Sequence, residues 1–417
     1  MLATALALVP AAEWAWSAGS GVLSWHGLAS FAGFAAAGLL AVSMLLMLRL
    51  RWLDRVFGGL GRVLQNHHAL GLAGFLWLLI HPLALGLDAL LLEPSEAIHL
   101  LWPNPRSAVV LSGWLALLLF AGFFVVTVAP GLRFDVWRGL HRASGLAYGC
   151  MIWHLIAVWT GSIAAGLGLA LVAAGVLGYA HRLFTQDPLH GGLHYRVVEV
   201  HRRGPKVVEI VLEPLEQALQ FEAGQFVYLL LRDSEEFRAC GQAHPYTPTS
   251  PPDDPQLRLS IKALGDCTRQ IQQLQPGVEA IVQGPFGGLF PPSTERHPQV
   301  WIGGGVGVTP FLSRAKTVEP DDPPIDLIYA APTRAEALYL NDLHELAQAR
   351  PNLRIHTIFD DADGVPTVSA IEARVGSLAE KQFMLAGPLE MVRDLGRGLQ
   401  ARGVPASQIH SEEGVLR

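Results

Sequence analysis

Residues 67–81 read HHALGLAGFLWLLIH, and this stretch decides the fold of the first half of the chain. A histidine pair opens the apolar run, and His81 closes it. A second run, residues 141–154, reads HRASGLAYGCMIWH and has His141 and His154 at its two ends. Ionisable side chains inside a bilayer-length apolar helix are costly and usually functional. The pattern therefore predicts two helices that each carry one histidine near each face of a membrane.

The histidine spacing indicates two metal centres stacked across that membrane. His67 and His81 are 14 residues apart, which places them on about the same helix face, roughly 20 Å apart along the axis. His141 and His154 are 13 residues apart, which places them on rather different faces of an ideal helix. Either the helix bends, which the glycines at positions 145 and 149 permit, or the two ring planes differ in azimuth. We interpret the four histidines as the ligands of two haems, His67 with His141 and His81 with His154.

Two alternatives to this ligand set stay open. His68 can replace His67, although its spacing to His81 is then 13 residues. The four histidines can also be ordinary bundle-lining or interfacial residues that bond to carbonyl groups. His26 and His99 lie at or beyond the far face and are interpreted as solvated histidines.

Composition supports a membrane protein. The 417 residues are 51% hydrophobic and only 16% charged, as expected of a chain with membrane spans. The bias is confined to residues 1 to about 183, and the first residues of the sequence lack the positive charges of a signal-peptide n-region. A formal net charge of −6 gives no sign of nucleic-acid binding. Six spans are predicted, at residues 2–18, 27–49, 68–91, 108–129, 141–160 and 162–181.

Basic residues orient these spans. They cluster in the loop after the second span, the loop before the fifth and the end of the sixth, which all fall on one side: Arg49, Arg51, Arg55, Arg62, Arg133, Arg138, Arg142 and Arg182. That side is predicted to be cytoplasmic. The loop at 91–107, with Glu93 and Glu96, then faces outward.

The three cysteines, Cys150, Cys240 and Cys267, are far apart in the sequence and form no CxxC pair. This spacing argues against a structural zinc site and an iron–sulfur cluster. It also argues against a disulfide framework.

The second half has an ordinary soluble composition. Alternating strands such as HYRVVEVHRR and FEAGQFVYLLL predict a small antiparallel barrel. The segments HPYTPTS (244–250), LRLSIKAL and GDCTRQI follow. Next, VWIGGGVGVTPFLS (300–313) predicts a buried strand, a glycine-rich turn that admits a pyrophosphate, and a helix start. With IDLIYAAPT and QFMLAGPLEMV it predicts a doubly wound sheet.

With these motifs, the chain resembles the NADPH oxidase and ferric reductase superfamily in a compact bacterial form. The resemblance implies a transmembrane di-haem domain at 1–185, an FAD-binding β-barrel domain at 190–295 and an NAD(P)H-binding α/β domain at 296–417. For FAD it implies His244, Pro245, Tyr246, Thr247, Lys262 and Thr268. For the nicotinamide dinucleotide it implies Gly303, Gly304, Gly305, Gly307, Thr309, Pro310, Gly387 and Pro388. Arg334 is a candidate partner of a 2′-phosphate, so NADPH is expected, with NADH possible because Pro332 occupies a position that is often basic.

Two positions depart from the family pattern. Ala386 stands where a cysteine is usual, and Gly414 stands where an aromatic residue usually covers the flavin. Both fall where nicotinamide and flavin meet, so less competition at the flavin face or looser flavin binding is expected.

The expected function is transmembrane electron transfer. Electrons pass from cytoplasmic NAD(P)H through FAD and two b-type haems to an acceptor outside the bacterial cytoplasmic membrane, with O2 giving superoxide. The alternatives are a ferric-chelate reductase with the same electron carriers and a haem-bearing subunit that passes electrons to a partner protein. The expected partners are the small-molecule acceptor and membrane lipid, with no nucleic acid and no obligatory protein partner.

Overall fold

A computed structural model describes residues 2–48, 56–57, 60–129, 132, 134–158, 161–185, 192–290 and 297–411. The chain divides into two compact units, a helical one that extends to residue 184 and a second from residue 185 that holds both sheets. Arg49, Arg51, Arg55, Arg133 and Gly414, which entered the sequence predictions, lie outside the described residues, as does the side chain of Arg182.

The helical unit is built from apolar runs that begin at hydroxyl caps. Ser24 accepts a hydrogen bond from Gly27 N at 2.9 Å, and Ser107 accepts one from Val110 N at 3.4 Å, which satisfies amides that the first helical turn leaves unpaired. The helices are α1 (Leu2–Ala7), α2 (Val9–Ala18), α3 (Trp25–Leu46), α4 (Leu60–Leu92), α5 (Pro94–Leu101), α6 (Ala108–Val128), α7 (Phe134–Arg142), α8 (Gly145–Ala157) and α9 (Ile163–Thr185).

Four of the described helices are long and apolar enough to cross a membrane, in Trp25–Leu46, Gly61–Leu92, Ala108–Val128 and Ile163–His181. Four of the six predicted spans coincide with these helices, and the other two, at residues 2–18 and 141–160, are each divided between two shorter helices. Residues 2–18 form two short helices, α1 and α2, with Pro10 in the first turn of α2. Residues 141–160 do not form one helix either, because α7 ends at Arg142 and α8 starts at Gly145.

The break between α7 and α8 is a distortion of the helix, one of the two possibilities that the 13-residue histidine spacing left open. His141 lies in the last turn of α7, and His154 lies in the last turn of α8. Because a turn separates the two helices, the two histidines need not obey the periodicity of a single helix.

The second unit begins with a six-stranded antiparallel sheet in the order β4-β3-β6-β1-β2-β5. An isolated bridge joins Pro248 to Leu259, but a closed barrel is not formed by these pairings, so the predicted barrel is confirmed only as an antiparallel sheet. Its apolar core includes Tyr195, Ile210 and Leu259, each at most 1% exposed. The strands are β1 (Leu193–Gly204), β2 (Val207–Pro214), β3 (Phe226–Leu231), β4 (His244–Tyr246), β5 (Leu257–Lys262) and β6 (Glu279–Phe286), with helix α10 (Asp266–Ile271) after β5.

A five-stranded parallel sheet follows, in the order β11-β10-β7-β8-β9. Neighbouring residues of β7 face opposite cores, Trp301 one and Ile302 the other, so helices cover both faces and the predicted doubly wound sheet is confirmed. The strands are β7 (Gln299–Gly304), β8 (Ile325–Ala331), β9 (Leu353–Phe359), β10 (Gln382–Ala386) and β11 (Ile409–Ser411). The helices are α11 (Thr309–Ala315), α12 (Leu340–Gln348), α13 (Asp360–Asp363), α14 (Val368–Val375) and α15 (Leu389–Ala401).

Candidate functional site

The four predicted ligand histidines meet in two pairs inside the helical unit. The ring centroids of His67 and His141 are 6.2 Å apart, and those of His81 and His154 are also 6.2 Å apart. Each pair joins α4 to the α7–α8 segment, as the sequence predicted. Along α4, 14 residues correspond to about 21 Å between the two pairs.

The pair separation suits a metal ion between two imidazole nitrogens. A metal–nitrogen bond of about 2.0 Å on each side, plus about 1.1 Å from each nitrogen to its ring centre, gives centroids about 6.2 Å apart. Both histidine pairs have this separation. The two imidazoles of each pair could therefore hold a haem iron between them.

Helix α3 fixes both histidines of α4. Nδ1 of His81 lies 2.7 Å from the carbonyl oxygen of Ala29. Nδ1 of His67 lies 2.9 Å from both the carbonyl oxygen and the hydroxyl of Ser43. A carbonyl oxygen only accepts, so Nδ1 carries the proton in both rings and the lone pair is on Nε2, the nitrogen that is then suited to bind a metal.

Helix α6 fixes the other two histidines. Nδ1 of His154 lies 3.0 Å from the carbonyl oxygen of Val109 and 3.3 Å from the Ser112 hydroxyl. Nδ1 of His141 lies 3.3 Å from the Thr127 hydroxyl, which itself donates to Phe123 O at 2.7 Å and can therefore accept from the imidazole. In all four rings, Nδ1 is therefore the hydrogen-bond donor and Nε2 carries the lone pair.

Glycines make room for the His81–His154 pair. A Cβ added to Gly33 would lie 2.9 Å from Nδ1 of His81, and one added to Gly113 would lie 3.1 Å from Cε1 of His154. Each ring therefore packs directly against the backbone of a neighbouring helix. These glycines and the Nδ1 acceptors were not predicted from the sequence, where only the hydroxyls of Ser43, Ser112 and Thr127 within apolar spans give a signal.

The choice between His67 and His68 is informed by this geometry. His67 is half-buried and faces His141, whereas His68 is exposed. The Trp137 ring stacks on His141 at 5.0 Å with an interplanar angle of 12°. These contacts favour His67 as the ligand, and the assignment stays a prediction.

Between the two pairs the bundle is filled by aromatic and aliphatic side chains. Phe75 and Phe124 stack with their centroids 4.4 Å apart, and the hydroxyl of buried Tyr148 donates to Leu40 O at 2.7 Å. This packing leaves apolar material rather than polar side chains between the histidine pairs.

In the second unit, the glycine run after β7 and the Gly-Pro segment after β10 lie together at the edge of the parallel sheet formed by the carboxyl ends of its strands. The strand order reverses between β7 and β10, which is the switch point where doubly wound sheets bind ligands. A Cβ on Gly307 would lie 2.5 Å from Cα of Gly387, and one on Gly304 would lie 2.9 Å from Cδ of Pro388. Gly387 also has a φ of +150°. The two backbones approach too closely for side chains, which leaves amide groups to line the edge.

The remaining predicted nucleotide residues surround this edge. Thr309 and Pro310 are buried at the start of α11, and Gly303 and Gly304 end β7 directly before Gly305. Arg334 is exposed in the turn after β8, the strand beside β7. The structure therefore brings the whole predicted set to the carboxyl end of neighbouring strands, although their contacts with a dinucleotide remain a prediction.

The HPYT segment forms the edge strand β4. His244 and Pro245 pair with β3, and the Tyr246 hydroxyl is buried without a hydrogen-bond partner among the described residues. Burial raises the pKa of Tyr246, so the hydroxyl is protonated at neutral pH and has a hydrogen bond to give. An orphaned buried donor is costly, and its presence in the segment predicted to bind FAD fits a bound flavin; Thr247 follows β4 directly.

The other two predicted FAD residues lie near the start of α10. The Thr268 hydroxyl accepts from the amides of Leu264 and Gly265 at 2.8 and 2.9 Å, so it caps the helix. Lys262 is half-buried at the end of β5. Thr268 therefore has a structural role as the cap of α10. Its contact with the flavin diphosphate stays a prediction.

Polar contacts join the two sheets of this unit. Buried Glu209 accepts two hydrogen bonds from Arg203, at 3.0 and 2.7 Å, and one from the Thr249 hydroxyl at 3.1 Å. Lys316 donates to Thr249 O at 2.7 Å, and burial lowers the pKa of this lysine. The Ser260 and Tyr339 hydroxyls are also hydrogen-bonded. This network ties the strands of the antiparallel sheet to the α11–α12 side of the parallel sheet.

The cysteine prediction is corrected by the fold. Cys240 and Cys267 form a disulfide with their Cα atoms 5.4 Å apart. The pair could not be predicted from the sequence spacing, because Cys240 lies in the loop before β4 and Cys267 lies in α10.

Three known protein families match successive parts of the chain. The ferric reductase like transmembrane component family matches residues 32–152, the FAD-binding domain family matches 193–304, and the oxidoreductase NAD-binding domain family matches 301–396. The first match includes His67, His81 and His141 and ends two residues before His154.

Relatives share about half of the chain. The propane 2-monooxygenase reductase component of Mycolicibacterium goodii is 29% identical over 248 residues, which are 54% of this chain and 70% of the relative. A flavohemoprotein of Xylella fastidiosa is 26% identical over 242 residues, 53% of this chain and 59% of the relative. The crystal structure of a flavohemoglobin from Malassezia yamatoensis has a TM-score of 0.53 at 19% identity, covers 97% of this chain and 98% of that one, and shows a likeness of fold alone.

A transmembrane component of the ferric reductase type, an FAD-binding domain and an NAD-binding domain thus follow one another on a single chain. The protein is accordingly a membrane flavoprotein oxidoreductase with the domain arrangement of the NADPH oxidase and ferric reductase superfamily.

Proposed function

We propose that the protein carries electrons from NAD(P)H through FAD and two b-type haems to O2 on the opposite face of the bacterial cytoplasmic membrane, giving superoxide. The observation that carries this proposal is the pair of matched histidine sites, each with ring centroids 6.2 Å apart and with Nδ1 held by a neighbouring helix. Such a structure is expected of axial ligands and is not required of ordinary bundle histidines.

When bound, FAD converts the two electrons of a hydride into single electrons, and each haem carries one electron at a time. NAD(P)H thus supplies two electrons and releases one proton, and two O2 molecules each take up one electron. The residues of the chain need only bind and orient these groups, so no general acid or nucleophile is proposed.

Charge supports the topology. Arg62 lies five residues before His67, and Arg138 and Arg142 flank His141. These cations suit haem propionates, and a basic side is the cytoplasmic side under the positive-inside tendency. The FAD-binding and NAD-binding domains are accordingly proposed to lie in the cytoplasm, with His81 and His154 toward the outer face.

If the two histidines of each pair held a haem iron, they would occupy the positions at which an acceptor could bind the metal, so the proposal needs no acceptor-binding residue at the iron. The match to the ferric reductase like transmembrane component makes ferric-chelate reduction the second candidate, with the same residues in the same roles. In both cases the acceptor is a small molecule, and no protein partner is needed.

The test is a spectrum of the detergent-purified full chain with FAD and haem. NADPH is added without oxygen, and air is then admitted. Reduction of two b-type haems per chain followed by rapid reoxidation, with superoxide trapped in stoichiometric yield, supports the oxidase. Slow reoxidation in air and fast reoxidation by a ferric chelate would assign the reductase, and a chain that binds no haem would overturn both assignments.

A further inference from the structure

The disulfide lies between the two segments predicted to bind FAD. Cys240 is in the loop between β3 and β4, four residues before His244, and Cys267 is in the first turn of α10, directly before Thr268. The Cys240–Cys267 bond closes 27 residues of chain and links the HPYT strand to the helix that Thr268 caps.

The surroundings of Cys240 and Cys267 favour thiol–disulfide exchange at this pair. Both cysteines are half-buried rather than enclosed, and they line a small cavity together with Gln242 and His244. Nε2 of His244 lies 3.7 Å from Sγ of Cys240. An imidazole beside a thiol favours the thiolate, which is the form that attacks disulfides.

A metal site is the competing interpretation of the same cluster. One ligand atom from each of Cys240, His244 and Cys267 lies within 4.8 Å of the others. Structural zinc sites take four protein ligands, and the cluster that the described residues form offers three. The two sulfurs are moreover bonded to each other, so the observations favour sulfur redox chemistry.

We propose that Cys240 and Cys267 are a reversible redox couple that sets the FAD affinity of the protein. The inference rests on the proposed function, which places this unit in the reducing cytoplasm, where disulfides are usually transient or redox-sensing. In the oxidised form the bond holds the β3–β4 loop against α10, so little ordering is needed when FAD binds. In the reduced form the loop must be ordered on binding, which weakens FAD affinity by about tenfold.

The oxidant is a low-molecular-weight disulfide such as oxidised glutathione. One protein thiolate attacks it, forms a mixed disulfide and releases a first glutathione thiolate. The second protein thiolate then attacks the mixed disulfide, forms the Cys240–Cys267 bond and releases a second glutathione. Two protein thiols are oxidised and one glutathione disulfide is reduced, with the thiol protons going to the two glutathiones.

The test uses the detergent-purified full chain equilibrated in glutathione buffers of graded redox poise. Alkylation and mass spectrometry measure the fraction of Cys240–Cys267 disulfide, and quenching of flavin fluorescence measures the FAD dissociation constant. We expect the dissociation constant to rise by about tenfold in step with reduction of this bond. The Cys150→Ser variant, which removes the cysteine outside the pair, should respond like the unaltered chain.

The double variant Cys240→Ala/Cys267→Ala should bind FAD with the affinity of the reduced chain in every buffer. An FAD dissociation constant that is equal in the oxidised and reduced unaltered chain overturns the proposal. So does a reduced chain that retains one zinc ion per molecule with unreactive thiols, which would assign a metal site instead. Because FAD affinity is read without NADPH or haem, failure of the electron-transfer proposal would be recognised separately, by absent haem reduction.

Discussion

Replacing Gly33 by alanine should remove one haem and leave the other. Gly33 lies on α3 against the ring of His81, and the added Cβ would be 2.9 Å from Nδ1. Ordinary contact begins at about 3.5 Å, so the ring must move by roughly half an ångström. The ring is a side chain and can yield, but its Nδ1 then leaves the position 2.7 Å from Ala29 O.

The expected effect on fold stability is small because two contributions oppose each other. Gly→Ala inside a helix stabilises by about 1 kcal/mol, and the weakened hydrogen bond to Ala29 costs about 1 kcal/mol. Loss of a hydrogen bond that orients a metal ligand instead costs about 10- to 100-fold in metal affinity. Gly33→Ala should therefore keep its helical content, and its haem-free form should keep the melting temperature of the haem-free unaltered chain, while the His81–His154 site loses haem.

The assay is haem content per chain by the pyridine haemochrome method, together with low-temperature electron paramagnetic resonance of the oxidised protein. We expect the ratio to fall from about two toward about one, with one low-spin signal retained, as the ligand geometry requires. Gly122→Ala is the matched control, because a Cβ there meets nothing within 4 Å. Two haems with unchanged signals in Gly33→Ala would refute the assignment of His81 as a ligand held by Ala29.

Three further predictions concern the second unit. Tyr246→Phe removes an unpartnered buried hydroxyl, so the FAD-free protein should melt at the same or a higher temperature while FAD titration shows weaker binding by about tenfold; equal FAD affinity would contradict the assignment. Gly307→Ala should raise the KM for NADPH or unfold the parallel sheet, because its Cβ would meet Gly387 Cα at 2.5 Å, whereas Gly396→Ala, which meets nothing, should leave steady-state kinetics and melting unchanged. Burial would raise the pKa of Asp326, but hydrogen bonds from His356 and Arg354 lower it below its ordinary value. The ionised carboxylate therefore stabilises the fold above a pH of about 3.9, and this stabilisation is lost as pH falls through the lowered pKa. Urea unfolding of Asp326→Asn should accordingly show lower stability at pH 7 and a shallower loss in acid, and identical profiles would contradict this account.

The pairing of the four histidines was predictable from the sequence, because helical periodicity relates sequence spacing to direction. The 14-residue interval predicted that His67 and His81 share a face. The 13-residue interval predicted either a distortion before His154 or ring planes of different azimuth, and the structure has a break at Ala143 and Ser144. Spacing carries this information because it is local to one segment of chain.

Other features depend on contacts between segments that are distant in sequence. The acceptors for Nδ1 of His81 and His154 are backbone carbonyl oxygens of Ala29 and Val109, and every residue has such an oxygen. The Cys240–Cys267 pair depends on how the β3–β4 loop lies against α10. The predicted span at residues 2–18 is divided between α1 and α2 for a related reason, since apolar composition does not reveal where a helix breaks.

The pattern of helix contacts gives the strongest argument that the four histidines work together. Helix α3 supplies the acceptors for both histidines of α4, through Ala29 and Ser43, and α6 supplies those for both histidines of the α7–α8 segment. Each ligand-bearing segment is therefore braced along its length by one partner helix, at both histidine positions. The same nitrogen and the same 6.2 Å pairing recur, with a carbonyl oxygen as the partner of three rings and the Thr127 hydroxyl as that of the fourth, a repetition that is not expected of chance contacts of bundle histidines. Single-electron transfer is favoured by ligands that do not move between oxidation states, and this bracing restrains each ring through Nδ1 while directing Nε2 toward the metal position.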